Sequence, residues 1–144
     1  MKLQEIITAV ASFHDAFGIE NNQTPCASLS AKDIELRFNL MKEENEEYLE
    51  AATNNDIVEI ADALGDQLYI LCGTILRHGL QHKIVEVFEE IQRSNMSKLD
   101  EFGMPIYRED GKVLKSNLYF KPAIFLSLIR HGNSKNNYKK SCRI

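Results

Sequence analysis

Apolar positions recur at helical spacing along four stretches of the chain, and each stretch is bounded by residues that start or stop helices. In the first, Ile6, Ile7, Val10, Phe13 and Phe17 share one side of a helix predicted from about Leu3 to Phe17, with Gly18 as its stop. A polar loop carrying Pro25 follows. Ser30, with Asp33 three residues on, has the spacing of a capping box and opens a second helix that ends at Asn54–Asn55. Asn55 or Asp56 caps a third helix, which reaches about Arg77 with Gly79 behind it. The fourth runs from about His82 to Ser97.

After Leu99 the pattern changes. Pro105 to Lys115 predicts a small hairpin around Asp110–Gly111, a favoured two-residue turn. Pro122 is placed to open a short last helix through Arg130. From Gly132 to Ile144 the chain is polar and rich in Asn and Lys, the composition of a disordered basic tail. The expectation is a single all-α domain over residues 1–132, built on four helices with a C-terminal hairpin and short helix, and a tail over 133–144.

The polar residues inside the helices carry the chemical signal. On the second helix Leu40, Glu44, Tyr48 and Ala51 fall on one side, with Arg37 and Met41 beside them. Glu44 lies near the middle of that apolar arc and Glu47 at its edge, while Glu43, Glu46 and Glu50 turn outward toward solvent. The third helix is apolar almost all round, with Ile57, Ile60, Leu64, Leu68, Leu71 and Ile75 on one side, and is therefore expected to be central and buried. Yet Glu59, Asp62 and Asp66 fall within an arc of about 60° on it. Gly73 continues their line as bare backbone, and Arg77 follows one turn later. Carboxylates on an apolar face are costly unless paired or bound to a cation. Two acidic lines on consecutive helices suggest one shared cation site, with Mg²⁺ as the first expectation and Mn²⁺ as a substitute. A structural salt-bridge network involving Arg37 is the alternative. On the fourth helix the stripe Ile84, Val87, Phe88 and Ile91 turns polar as Asn95 and Lys98. There a lysine suits a phosphate and an asparagine a base edge, and helix capping is the plainer reading.

Composition narrows the picture in three ways. A net charge of −4 argues against a general nucleic-acid binder. No uncharged apolar run approaches the length of a membrane span, and Glu5 stands where a signal peptide would be apolar. Three dispersed cysteines, Cys26, Cys72 and Cys142, match no metal or redox spacing and suit a cytoplasmic protein.

Glu43-Glu44-x-x-Glu47, followed by the acidic set Glu59, Asp62 and Asp66, resembles the all-α nucleoside triphosphate pyrophosphatases, which include MazG, dimeric dUTPases and phosphoribosyl-ATP pyrophosphohydrolase. Arg93-Ser-Asn-Met-Ser-Lys98, Asp110-Gly-Lys-Val-Leu-Lys115 and Phe120-Lys-Pro122 are similar to a MazG-like or phosphoribosyl-ATP-pyrophosphohydrolase-like branch of that superfamily. The resemblance covers about Phe13 to Ile129. It implies a four-helix all-α fold, a homo-oligomer with a dimer foremost, and Mg²⁺ held by Glu43, Glu44, Glu47 and Asp66. On Leu64-Gly65-Asp66 the family's second-helix glutamate falls on Ala63, so either Asp62 replaces it or the motif is Glu59-x-x-Asp62.

The implied reaction is hydrolysis between the α and β phosphates of a nucleotide. Glu43 or Glu47 would orient or deprotonate the water, Lys98 with Lys112 or Lys115 would offset phosphate charge, and Asn95 and Arg37 would contact substrate. A house-cleaning role on dUTP or dCTP is expected, with phosphoribosyl-ATP as the other substrate. Outside the enzymes, a non-catalytic nucleotide-binding or regulatory module would keep the fold without turnover. A di-iron bundle is excluded because no histidine follows a glutamate by three residues.

Overall fold

The computed structural model describes residues 1–124. Among them are four helices and no strand: α1 (Leu3–Ala16), α2 (Ala31–Thr53), α3 (Ile57–Arg77) and α4 (Ile84–Met96). The first four predicted helices are present, each within a few residues of its expected ends. The expected last helix beyond Ile124 and the tail over 133–144 lie outside the described residues.

The chain forms two compact units, the first running from Met1 to Gln81 and the second beginning at His82. In the first, α3 packs against both α2 and α1. The turn between α2 and α3 is tight because one residue serves both helices. Asn55 takes a left-handed conformation (φ 57°), and Asp56 N–H then donates back to Ala51 O at 3.0 Å, closing α2. The Asp56 carboxylate meanwhile accepts from Val58 N–H at 3.0 Å and Glu59 N–H at 3.2 Å, opening α3. The two helices therefore run antiparallel, with Glu44 opposite Gln67 and Arg37 opposite Gly73.

The other end of α3 is held by the 20–26 loop. Asn22 N–H donates to Leu76 O, the Asn22 amide to Arg77 O, and Cys26 N–H to His78 O, so three carbonyls at the helix end are satisfied. Arg77 returns the contact through Nη1, which donates to the Glu20 carbonyl. Gln81 Nε2 donates to Asn22 O at 2.9 Å.

The expectation that α3 is buried throughout is corrected. Cys72, Gly73 and Ile75 to Arg77 are buried, but Ile57 is 73% exposed and Leu64 49% exposed. Contacts of α1 with α3 include Tyr69, met edge-on by the Phe13 ring, and Gly73. Helix α1 has only 14 residues against 21 in α3, so it reaches the C-terminal half alone. The apolar face of the N-terminal half is not covered by α1.

In the second unit the segment after α4 folds back onto it. Ser94 Oγ donates to Phe120 O at 2.8 Å, and the Arg93 guanidinium lies 4.5 Å from the Phe120 ring centre. The expected hairpin is smaller and its turn differs. Tyr107 and Val113 form an isolated bridge, Arg108 N–H donates to Lys112 O, and Gly111 N–H donates to Arg108 O. The loop is thus three residues, Glu109 to Gly111, a form in which the left-handed third position suits glycine. An Arg108–Asp110 ion pair fixes its tip.

The α2 cap carries a pH dependence. Ser30 Oγ donates to the Asp33 carboxylate at 2.7 Å, and Arg77 Nη2 pairs with it at 3.0 Å. The Ser30 bond first, and then Arg77, hold the Asp33 carboxyl below its usual range. A carboxyl depressed in the folded state stabilises above its unfolded pKa, and that contribution is lost as pH falls through the folded value. Thermal melts taken from neutral pH to below about pH 4 should show a stability loss that Asp33→Asn diminishes.

Candidate functional site

The antiparallel α2–α3 pair sets two carboxylate lines against each other. Gln67 Nε2 donates to the Glu44 backbone carbonyl at 3.2 Å and ties the helices at that level. Glu44 is the centre of the arrangement. Its Oε2 is fully buried and has no hydrogen-bond partner. Burial pushes the Glu44 carboxyl above its ordinary range, and the negative charges of Glu47, Asp66, Glu43 and Asp62 push it further, in that order. Five acids from two helices therefore share one field.

Glu59 does not belong to that set. It lines a cleft of about 370 Å³ beside the α2–α3 turn, together with Glu47, Glu50, Ala51, Asn54 and Asp56. Glu47 belongs to both regions. Ala63 is 2% exposed, packed in the core. Asp62 stands among the acids around Glu44. Glu46 pairs with Lys42 at 3.5 Å on the exposed side of α2, as its outward position predicts. Glu50, also expected in plain solvent, instead helps to line the cleft. Nothing in the sequence period distinguishes a solvated glutamate from one at a cleft wall.

Among the described residues, no three His, Cys, Asp or Glu side chains already stand at metal-ligating spacing. The seam gathers acids but, among the described residues, forms no finished cage.

Two turns along the same seam from Glu44 and Asp66 the charge reverses. Arg37 from α2 and His14 from α1 both close on the bare backbone of Gly73. A Cβ there would stand 2.9 Å from Arg37 Nη1 and 3.0 Å from His14 Nε2. This explains the glycine in the acidic line of α3: what approaches it is the protein's own basic side chains. The alternative, a salt-bridge network through Arg37, does not form among the described residues. Arg77 takes Asp33, and among the described residues neither a hydrogen bond nor an ion pair reaches Arg37. His14 is not legible in the sequence, where it reads as one more polar residue on a short helix. Its 2% exposure is the only sign that it belongs to the interior.

The remaining candidates belong to the second unit. Lys98 Nζ donates to Asn95 Oδ1 at 2.8 Å, so the two form a pair at the end of α4. Lys115 lies 4.3 Å from the Tyr119 ring centre, and Lys112 is exposed at the hairpin.

No helix among the described residues is long and apolar enough to cross a membrane. A family model described as phosphoribosyl-ATP pyrophosphohydrolase matches residues 10–95, from within α1 almost to the end of α4. An uncharacterized protein, L479, of Acanthamoeba polyphaga mimivirus is 35% identical over 80 residues, which cover 52% of this chain and 32% of the relative. The chain thus matches about a third of the length of that curated relative. The acidic α2–α3 seam lies wholly inside the matched span, and the chain belongs to the phosphoribosyl-ATP pyrophosphohydrolase family.

Proposed function

We propose that this protein is a Mg²⁺-dependent nucleotide pyrophosphohydrolase that cleaves between the α and β phosphates to release a nucleoside monophosphate and pyrophosphate. The observation that carries this reading is the buried, unpartnered Oε2 of Glu44 amid four further carboxylates. A carboxylate crowded by like charge and lacking a donor is stabilised by a hard divalent cation, and an all-oxygen donor set suits Mg²⁺ or Mn²⁺. Glu44, Glu47, Asp62 and Asp66 would hold the metal, with Glu43 beside them. Bound there, Mg²⁺ neutralises phosphate charge.

The protein's own part is positioning. Glu43 or Glu47 orients the attacking water and accepts its proton. Lys98, Lys112 and Lys115 offset charge on the phosphates, and Asn95 contacts the base or sugar. The substrate class proposed is a free deoxynucleotide such as dUTP or dCTP, with phosphoribosyl-ATP as the alternative named by the family. The exposed apolar face of α2 and α3, including Phe38, Leu49, Ile57, Val58 and Leu64, is covered in this reading by a second copy of the chain.

Purified protein incubated with Mg²⁺ and a panel of nucleotides, phosphoribosyl-ATP included, should yield pyrophosphate and a monophosphate by phosphorus NMR. Light scattering on the same sample should give twice the chain mass. Ala63, which stands where the family's glutamate would fall, favours a second reading, a nucleotide-binding module without turnover. Nucleotide binding with no product from any substrate would establish it over hydrolysis.

A further inference from the structure

Between the two carboxylate lines stands an amide that the hydrolytic reading leaves unused. Gln67 follows Asp66 on α3 and lies on its inward side: Ala63, one turn before it, is buried, and Ile70, one turn after it, is half-buried. Its Nε2 donates to the Glu44 carbonyl oxygen at 3.2 Å. That carbonyl lies inside α2, where the N–H one turn on already supplies a donor, so the helix does not require a second. An apolar side chain of similar size would need no partner here. Among the described residues one other hydrogen bond or ion pair joins the side chains of α2 and α3, the Arg77–Asp33 pair, roughly 15 Å further along α3. The turn at Asn55–Asp56 lies about as far in the other direction. Gln67 is therefore the polar tie at the level where Glu44 meets Asp66 and Asp62.

From this placement we infer that Gln67 is a positioning residue for the metal site. By holding the Glu44 backbone to the residue next to Asp66, it sets the register at which carboxylates of α2 and α3 reach one cation. The inference rests on the proposed Mg²⁺ reading, in which Gln67 binds nothing itself and acts through Glu44 and Asp66. Loss of a partner that orients metal-binding side chains commonly lowers metal affinity by about tenfold to a hundredfold. The chemistry also says which ion feels the loss. Mg²⁺ accepts only near-ideal octahedral geometry at short distances, whereas Ca²⁺ tolerates wider and less regular sets of oxygens. A register loosened by losing Gln67 therefore costs Mg²⁺ affinity more than Ca²⁺ affinity. A side chain that merely packs α3 on α2 would affect both ions alike.

The test reads metal binding to the full chain without nucleotide, so it does not depend on turnover. Mn²⁺ binding is followed by electron paramagnetic resonance, and Mg²⁺ and Ca²⁺ by competition with it. Wild type should bind Mn²⁺, and Asp66→Asn should lose that binding. Gln67→Met keeps the length of the side chain and removes the donor. It should weaken Mg²⁺ binding by about tenfold or more, and Ca²⁺ binding by a smaller factor. Gln67→Asn keeps the amide but falls one methylene short of the carbonyl. It should show the same selective loss, and it carries the comparison where Gln67→Met does not fold. Equal affinities in wild type and variant, or equal losses for Mg²⁺ and Ca²⁺, overturn the inference and leave the metal site standing. Mn²⁺ binding that is absent from wild type, or kept in Asp66→Asn, overturns the metal reading and the inference with it.

Discussion

Asp66→Asn and Glu44→Gln are each expected to lower Mg²⁺-dependent turnover by about a hundredfold or more, the scale of losing a principal source of charge stabilisation. Stability should move the other way in one of them. The Glu44 carboxyl is raised above its ordinary range by burial and by its acidic neighbours. Its ionised form therefore opposes folding of the metal-free protein as pH rises past the unfolded glutamate pKa toward the folded value. Glutamine removes that charge at the same size. Metal-free Glu44→Gln should melt no lower than wild type near neutral pH, while its activity is lost. A structural role for Glu44 predicts the reverse pairing, a lower melting temperature with activity kept. Asp62→Ala should lose far more activity than Glu59→Ala, because Asp62 shares Glu44's field and Glu59 lines the cleft at the turn. Near-full activity in either Asp66→Asn or Glu44→Gln would remove the basis of the α2–α3 metal reading.

The sequence made the helices legible because their ends are local chemistry. Ser30, Asp56, Gly18 and Gly79 act within a few residues of themselves, and the structure uses all four as caps or stops. The acidic lines were legible for the same reason, since periodicity along one helix decides which carboxylates share a side. Pairings across helices were not. Which acid stands beside Glu44 depends on the antiparallel register set by the Asn55–Asp56 turn, and that register put Ala63 in the core. Whether Arg37 or Arg77 takes Asp33 depends on the same register. The exposure of Ile57 and Leu64 was misjudged because an apolar period reports that a face needs covering and not what covers it. The two-residue turn expected at Asp110–Gly111 became a three-residue loop for a local reason. The backbone bond from Arg108 to Lys112 spans one more residue, and Asp110 is tied sideways to Arg108.

Gly79→Ala should be the most destabilising single-methyl change in the first unit, and Gly18→Ala isolates why. Both glycines stand just past a helix end with nearly the same positive φ, 64° and 66°. Both close the helix in the same way: Leu80 N–H donates to Ile75 O after α3, and Ile19 N–H donates to His14 O after α1. The left-handed conformation alone costs an alanine about 1–2 kcal/mol at either site. Around Gly18 nothing lies within 4 Å of an added Cβ, so the cost ends there. At Gly79 the added Cβ would stand 2.1 Å from the Thr24 carbonyl oxygen and 2.5 Å from its carbon. Those are backbone atoms of the loop that satisfies the end of α3, and they cannot rotate away. Either α3 or the loop must shift, which loosens the bonds from Asn22 and Cys26 and the seat of Arg77 together. Gly79→Ala should therefore lower the melting temperature well beyond the few degrees expected of Gly18→Ala, and it should unfold or disorder the 20–26 loop in hydrogen exchange. Equal melting temperatures for the two variants would show that the loop yields without cost and does not anchor α3.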